Sequence, residues 1–79
     1  MTDREFSIEM LKAIRNHPNY QGMTNKKFYH DLATDFEIVS WRTVQAWMRP
    51  FGKDDFRYPG KVAREMIAKK YRKLNLDKE

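Results

Sequence analysis

Residues 26–50 read KKFYHDLATDFEIVSWRTVQAWMRP. Phe28, Leu32 and Phe36 recur at four-residue steps, the spacing of one helix face, with Tyr29 and Ala33 on its flanks. That pattern predicts a helix over about residues 25–35, with Thr24 as its N-cap. A short break is expected at 37–39. Ser40 then caps a second segment that must stop before Pro50. Within it Val44, Trp47 and Met48 lie at i, i+3 and i+4. The stretch reads as two short amphipathic helices joined by a tight break.

The flanking residues extend the pattern. Upstream, Thr2 and Glu5 have the spacing of a capping box, which predicts a helix over about residues 3–16. Phe6, Met10 and Ile14, with Leu11 beside them, give it an apolar face. His17-Pro18 ends it, because the residue before proline disfavours the helical region. Downstream, residues 49–58 form a polar loop rich in aromatic residues. Phe51 and Phe56–Tyr58 flank a turn at 52–55, so this segment is a loop or a short hairpin. Pro59 opens a last helix that runs to about Asn75. Its expected apolar face is Val62, Met66, Ile67, Tyr71 and Leu74, and residues 77–79 are expected to fray. The fold class is all-α: a compact domain of four helices, or of five.

Seventy-nine residues leave room for one domain, which buries roughly 60% of its unfolded surface. A large enclosed active site is therefore excluded. The 41% apolar content, with eleven aromatic rings, suffices for a small core. Cysteine is absent, which removes disulfides and thiolate metal sites. No apolar run is long enough for a transmembrane span or an export signal, so the expected location is the cytoplasm.

The net charge of +5 is uneven. Residues 1–40 hold five basic against six acidic side chains, and residues 41–79 hold eleven against five. A basic half on a small domain suits a phosphate backbone or another anionic surface. A solvated lysine-rich helix that confers only solubility is the plainer reading. It applies best to Lys69, Lys70, Arg72 and Lys73, which can still add salt-sensitive attraction. Tyr20, Tyr29, Tyr58 and Tyr71 are expected to pack with their hydroxyls at the surface.

Leu32-Ala33, Phe36, Ile38 and Ser40-x-x-Thr43-Val44-x-x-Trp47 together resemble the helix-turn-helix of the lambda-repressor-like superfamily and of small phage and plasmid regulators. In such a motif Ala33 is small where the helices cross, and Phe36, Ile38, Val44 and Trp47 seal the wedge between them. The loop, Pro50 and closing helix also fit. Two departures stand out. Glu37 occupies the turn position where the family often has glycine. The step from Ala33 to Val44 is one residue longer than usual, which shifts the expected register of the recognition helix by about one position.

The resemblance implies double-stranded DNA as partner, with the helix after Ser40 in the major groove. Trp41, Arg42, Gln45 and Arg49 would lie on or near its exposed face. Arg42 could donate two bonds to a guanine and Gln45 could pair with an adenine. Trp41 could pack on a thymine methyl or a sugar, or could equally be buried with Val44 and Met48. Ser40 and Thr43, with the helix amides, could hold phosphate oxygens. Lys26 and Lys27 could sit over the backbone, as could Lys53 and Arg57 from the loop. One small module reads few base pairs, so a homodimer is expected, with the first helix and the end of the fourth as candidate seams.

Catalysis finds little support. His17 and His30 match no zinc spacing, and Gly22, Gly52 and Gly60 make no phosphate-cradling loop. No metal or cofactor is expected. Two other function classes remain open beside DNA binding. One is a protein-interaction module or small inhibitor on the same scaffold. The other is membrane-surface association through the basic helix at 59–75, which competes with the need of that helix to close the core.

Overall fold

Thr2 begins the first helix as the capping-box spacing requires. Its side chain accepts from the Glu5 amide at 3.2 Å, and the Glu5 carboxylate accepts from the Thr2 amide at 3.4 Å. In the computed structural model, which describes residues 2–38, 40–50 and 52–76, this helix is α1 (Asp3–Arg15). A single 3₁₀ turn, Pro18–Tyr20, follows, capped by His17, whose Nδ1 accepts from the Asn19 amide. Then come α2 (Asn25–Asp35), α3 (Trp41–Met48) and α4 (Lys61–Lys73). Among the described residues there is no strand, so the segment between α3 and α4 is a loop and not a hairpin.

Two more helices start on a local side chain. Thr24 accepts from the Lys27 amide, and Ser40 accepts from the Arg42 amide. The end of α2 is a Schellman motif: the Ile38 amide bonds to the Ala33 carbonyl and the Glu37 amide to that of Thr34. Glu37 itself sits in the left-handed region at φ 56°. Glycine is the residue that takes this conformation without a steric cost. A second Schellman motif closes α4, with Asn75 at φ 60° and the Leu76 amide on the Tyr71 carbonyl. Asparagine tolerates that conformation better than glutamate does.

The helices pack as two pairs, α2 against α3 and α1 against α4, with α1 also touching α3. The core runs through all four. It holds Leu11 and Ile14 of α1, Phe28 and Leu32 of α2, Val44 and Trp47 of α3, and Ile67 of α4. The Tyr20 ring stands edge-on to Phe28 at 5.2 Å. Arg15 ties down the segment between α1 and α2. Its guanidinium donates to the carbonyls of Tyr20 and Met23 and to the Asn25 side chain, and lies 5.2 Å from the Phe28 ring centroid.

Three expectations need correction. The buried line of α1 is Ser7, Met10, Leu11 and Ile14, while Phe6 is 52% exposed. Phe6 stands about 100° around the helix from Ser7, at the edge of the stripe, and α4 does not reach over it. Ser7 is polar yet fully buried, because its hydroxyl donates to the Arg4 carbonyl at 2.7 Å. Second, α4 opens at Lys61 with Gly60 as its N-cap, and Pro59 is fully buried in the core instead of starting the helix. Third, Val62 is 67% exposed, and Ile67 is the fully buried residue of α4. The expected fraying at 77–79 lies outside the described residues.

Candidate nucleic-acid interface

The α3 sequence WRTVQAWM places Val44 and Trp47 on one side, and both are buried. On an ideal wheel Arg42, Ala46 and Arg49 point the opposite way. Arg42, Thr43 and Arg49 are exposed, and Gln45 is half-buried at the edge. The core thus holds this helix from behind and leaves its polar side to solvent.

Trp41 is half-buried, and its surroundings explain why. Its indole lies parallel to the Tyr29 ring, with centroids 6.3 Å apart and 1° between planes. The His30 ring lies 5.2 Å away. Two cations approach the same indole: Lys26 Nζ at 5.5 Å and the Arg42 guanidinium carbon at 5.8 Å from the ring centroid. Residues from α2 and α3 therefore meet at the amino end of α3, with two positive charges around one aromatic plate. Such contacts stabilise by about 0.5–1 kcal/mol each at exposed sites, enough to orient long side chains. Trp41 therefore packs on α2 and still keeps accessible surface.

The remaining candidates lie elsewhere or are already engaged. Lys27 pairs with Asp31 at 3.5 Å, across one helical turn. Arg49 pairs with Asp55 at 2.8 Å. Arg57 donates to the carbonyls of Asp54 and Phe56, and its amide bonds to the Ala46 carbonyl, which pins the loop to α3. Lys53 is exposed on that loop. Asp54 and Asp55 thus offset much of the positive charge near the carboxyl end of α3. Ser40 uses its hydroxyl on the Arg42 amide, so its capping role is filled within the chain.

Sequence reasoning missed Tyr29 and His30 as parts of this cluster. Lys26, Tyr29 and His30 stand at i, i+3 and i+4, so their shared face was readable. The helix that face meets was not. The basic residues of α4 are also not one solvated face. Lys70 is only 16% exposed, with Nζ 2.6 Å from Asp35 Oδ2. Lys69, Lys70 and Lys73 line a shallow groove with Asp35 and Phe36, at the far end of α2 from Lys26. Nine residues of helix separate Lys26 from Asp35, about 14 Å along the axis.

Among the described residues no group of three or more His, Asp or Glu side chains could hold a metal ion, and no helix is long and apolar enough to cross a membrane. No family model, curated protein or solved structure matches the chain.

Proposed function

We propose that the protein binds double-stranded DNA sequence-specifically by laying α3 in the major groove, and acts as a small transcriptional regulator of phage or plasmid type. The observation that carries this reading is the convergence of Lys26 and Arg42 on Trp41 at the amino end of α3, with the far side of that helix anchored by Val44 and Trp47. A major groove about 12 Å wide accepts a helix about 10–12 Å across. Arg42 and Gln45 are the base-reading candidates, and Lys26 is placed to meet a phosphate on the groove wall. Trp41 orients both cations from behind. Arg49 can exchange Asp55 for a phosphate, since an exposed ion pair contributes little. Lys27, Lys53, Arg57 and Thr43 add backbone contacts of lesser weight.

The test is a salt titration of binding to random duplex pools, followed by sequencing of the bound fraction. A salt-dependent affinity with an enriched sequence supports base reading. Arg42→Ala and Gln45→Ala should each cost about 1–3 kcal/mol at a cognate site and relax its sequence there. Lys26→Ala should weaken all sequences alike and lower the salt slope by about one. Absence of any binding at low salt would end the proposal. Capture of a protein partner that survives about 0.5 M salt would then favour an interaction module, because phosphate contacts are lost at such salt.

A further inference from the structure

His30 is exposed on α2, with its ring 5.2 Å from the Trp41 indole and tilted 35° to it. Among the described residues neither ring nitrogen has a hydrogen-bond partner. Thr24, Lys26, Lys27 and His30 line a shallow hollow of about 330 Å³, and its lining holds no carboxylate among the described residues. The charged groups around the ring are Lys26 and Lys27 one turn back on α2, Asp31 next in the chain, and Arg42 across Trp41 on α3. Asp31 is turned to Lys27, at 3.5 Å. The other histidine, His17, is already engaged: its Nδ1 accepts from the Asn19 amide and caps the 3₁₀ turn.

We propose that protonated His30 is a further cation of the DNA interface, bonding a backbone phosphate beside Lys26, so that duplex binding takes up one proton. The inference rests on the reading of α3 as a groove-binding helix. Histidine is the ordinary side chain whose charge changes between about pH 5 and 8. No carboxylate among the described residues is placed to bond the charged ring, whereas a phosphate in the hollow beside Lys26 is. A charge-assisted bond to a phosphate oxygen is about twice as strong as a neutral one. The coupling is reciprocal: if the duplex favours the proton, the proton favours the duplex by the same factor. The added affinity is therefore complete on the acid side and fades as pH rises. Trp41 packs against the ring on the side away from the phosphate and sets its direction, as it does for Lys26 and Arg42.

The test is the affinity of the full chain for a random-sequence duplex pool, measured across a salt series at about pH 6 and about pH 8. Binding should be about three- to tenfold tighter at the lower pH, with the salt slope steeper by about one. His30→Gln should remove that difference and leave the affinity at the higher pH within about twofold. His30→Lys should bind tightly at both. His17→Ser keeps an acceptor for the Asn19 amide and should behave as the unaltered chain. Salt-dependent binding that ignores pH, or a pH dependence that survives His30→Gln, overturns the role of His30 and leaves the groove reading of α3 standing. Absence of binding at low salt at both pH values ends that reading and this inference with it. If His30→Gln fails to fold, proton NMR of the unaltered chain decides. Adding duplex should move the titration of His30 upward by at least about half a pH unit and leave that of His17 in place. An unmoved His30 titration overturns the proposal.

Discussion

The Trp41 indole and the Tyr29 phenol ring lie parallel, 1° between planes and 6.3 Å between centroids, and so join the amino end of α3 to the middle of α2. The stack does two things. It fixes the angle at which α3 leaves the turn, and it holds the plate on which Lys26 and Arg42 rest. Trp41→Ala should cost about 2 kcal/mol in urea unfolding, less than a fully buried aromatic because Trp41 keeps exposed surface. Trp41→Phe should recover more than half. An unchanged midpoint for Trp41→Ala would show that the stack contributes nothing.

Arg15 donates to two carbonyls and one side-chain amide between α1 and α2. Its removal takes that donor from the partly buried Met23 carbonyl and from the Asn25 side chain, while the Tyr20 carbonyl keeps the Met23 amide. Arg15→Ala should therefore destabilise by about 2–3 kcal/mol. Arg15→Lys should restore little, because one ammonium cannot reproduce the planar fork. Thermal unfolding of both variants checks this, and full recovery by lysine would contradict it.

Glu37 holds a left-handed backbone at φ 56° with no glycine to ease it. Glu37→Gly removes steric strain of about 1–2 kcal/mol but also loosens the unfolded chain, for a net gain of about 0.5–1 kcal/mol. The melting temperature should rise by roughly 2–8 °C. Glu37→Ala keeps the strain and should not rise. Asn75→Gly should gain less than Glu37→Gly.

Lys70 and Asp35 join α4 to the end of α2, Nζ to Oδ2 at 2.6 Å. Burial pulls the Lys70 ammonium down, but its hydrogen bonds to Asp35 and to the Tyr20 hydroxyl outweigh burial, so its pKa stands above the ordinary 10.5. A raised folded-state pKa means that the charged form stabilises the fold. That contribution is complete below the unfolded-state value and fades as pH rises through the folded-state value. Stability should therefore drop above about pH 10.5 more steeply in the natural chain than in Lys70→Met. Near neutral pH, Lys70→Met should cost about 1 kcal/mol, since methionine keeps the apolar stem. Other groups titrate at high pH too, so the readout is the difference between the two chains. Parallel curves would remove the pair from the account.

The candidate site was half legible in the sequence. Ser40 as a cap, the buried side at Val44 and Trp47, and the exposed Arg42 all follow from helical period and capping chemistry. Tyr29 and His30 escaped because they act across two helices. The loop cations Arg49 and Arg57 looked free, yet the fold turns Asp55 and the carbonyls of Asp54 and Phe56 toward them. Pairings of that kind depend on a loop path that no periodicity encodes.

Sequence alone determined where α1, α2 and α3 begin, because a capping side chain acts on its own few residues; at α4 the proline misled, since Pro59 is buried and Gly60 precedes the helix. Thr2, Thr24 and Ser40 each occupy the predicted capping position. Tertiary structure decided which edge of each stripe is covered. Phe6 and Val62 are as apolar as Met10 and Ile67, but burial depends on where the neighbouring helix crosses. The same holds for Lys70, which lost most of its exposure because Asp35 and Tyr20 converge on it from elsewhere in the fold. Local chemistry sets the elements, and only their crossing angles assign each side chain to core, surface or interface.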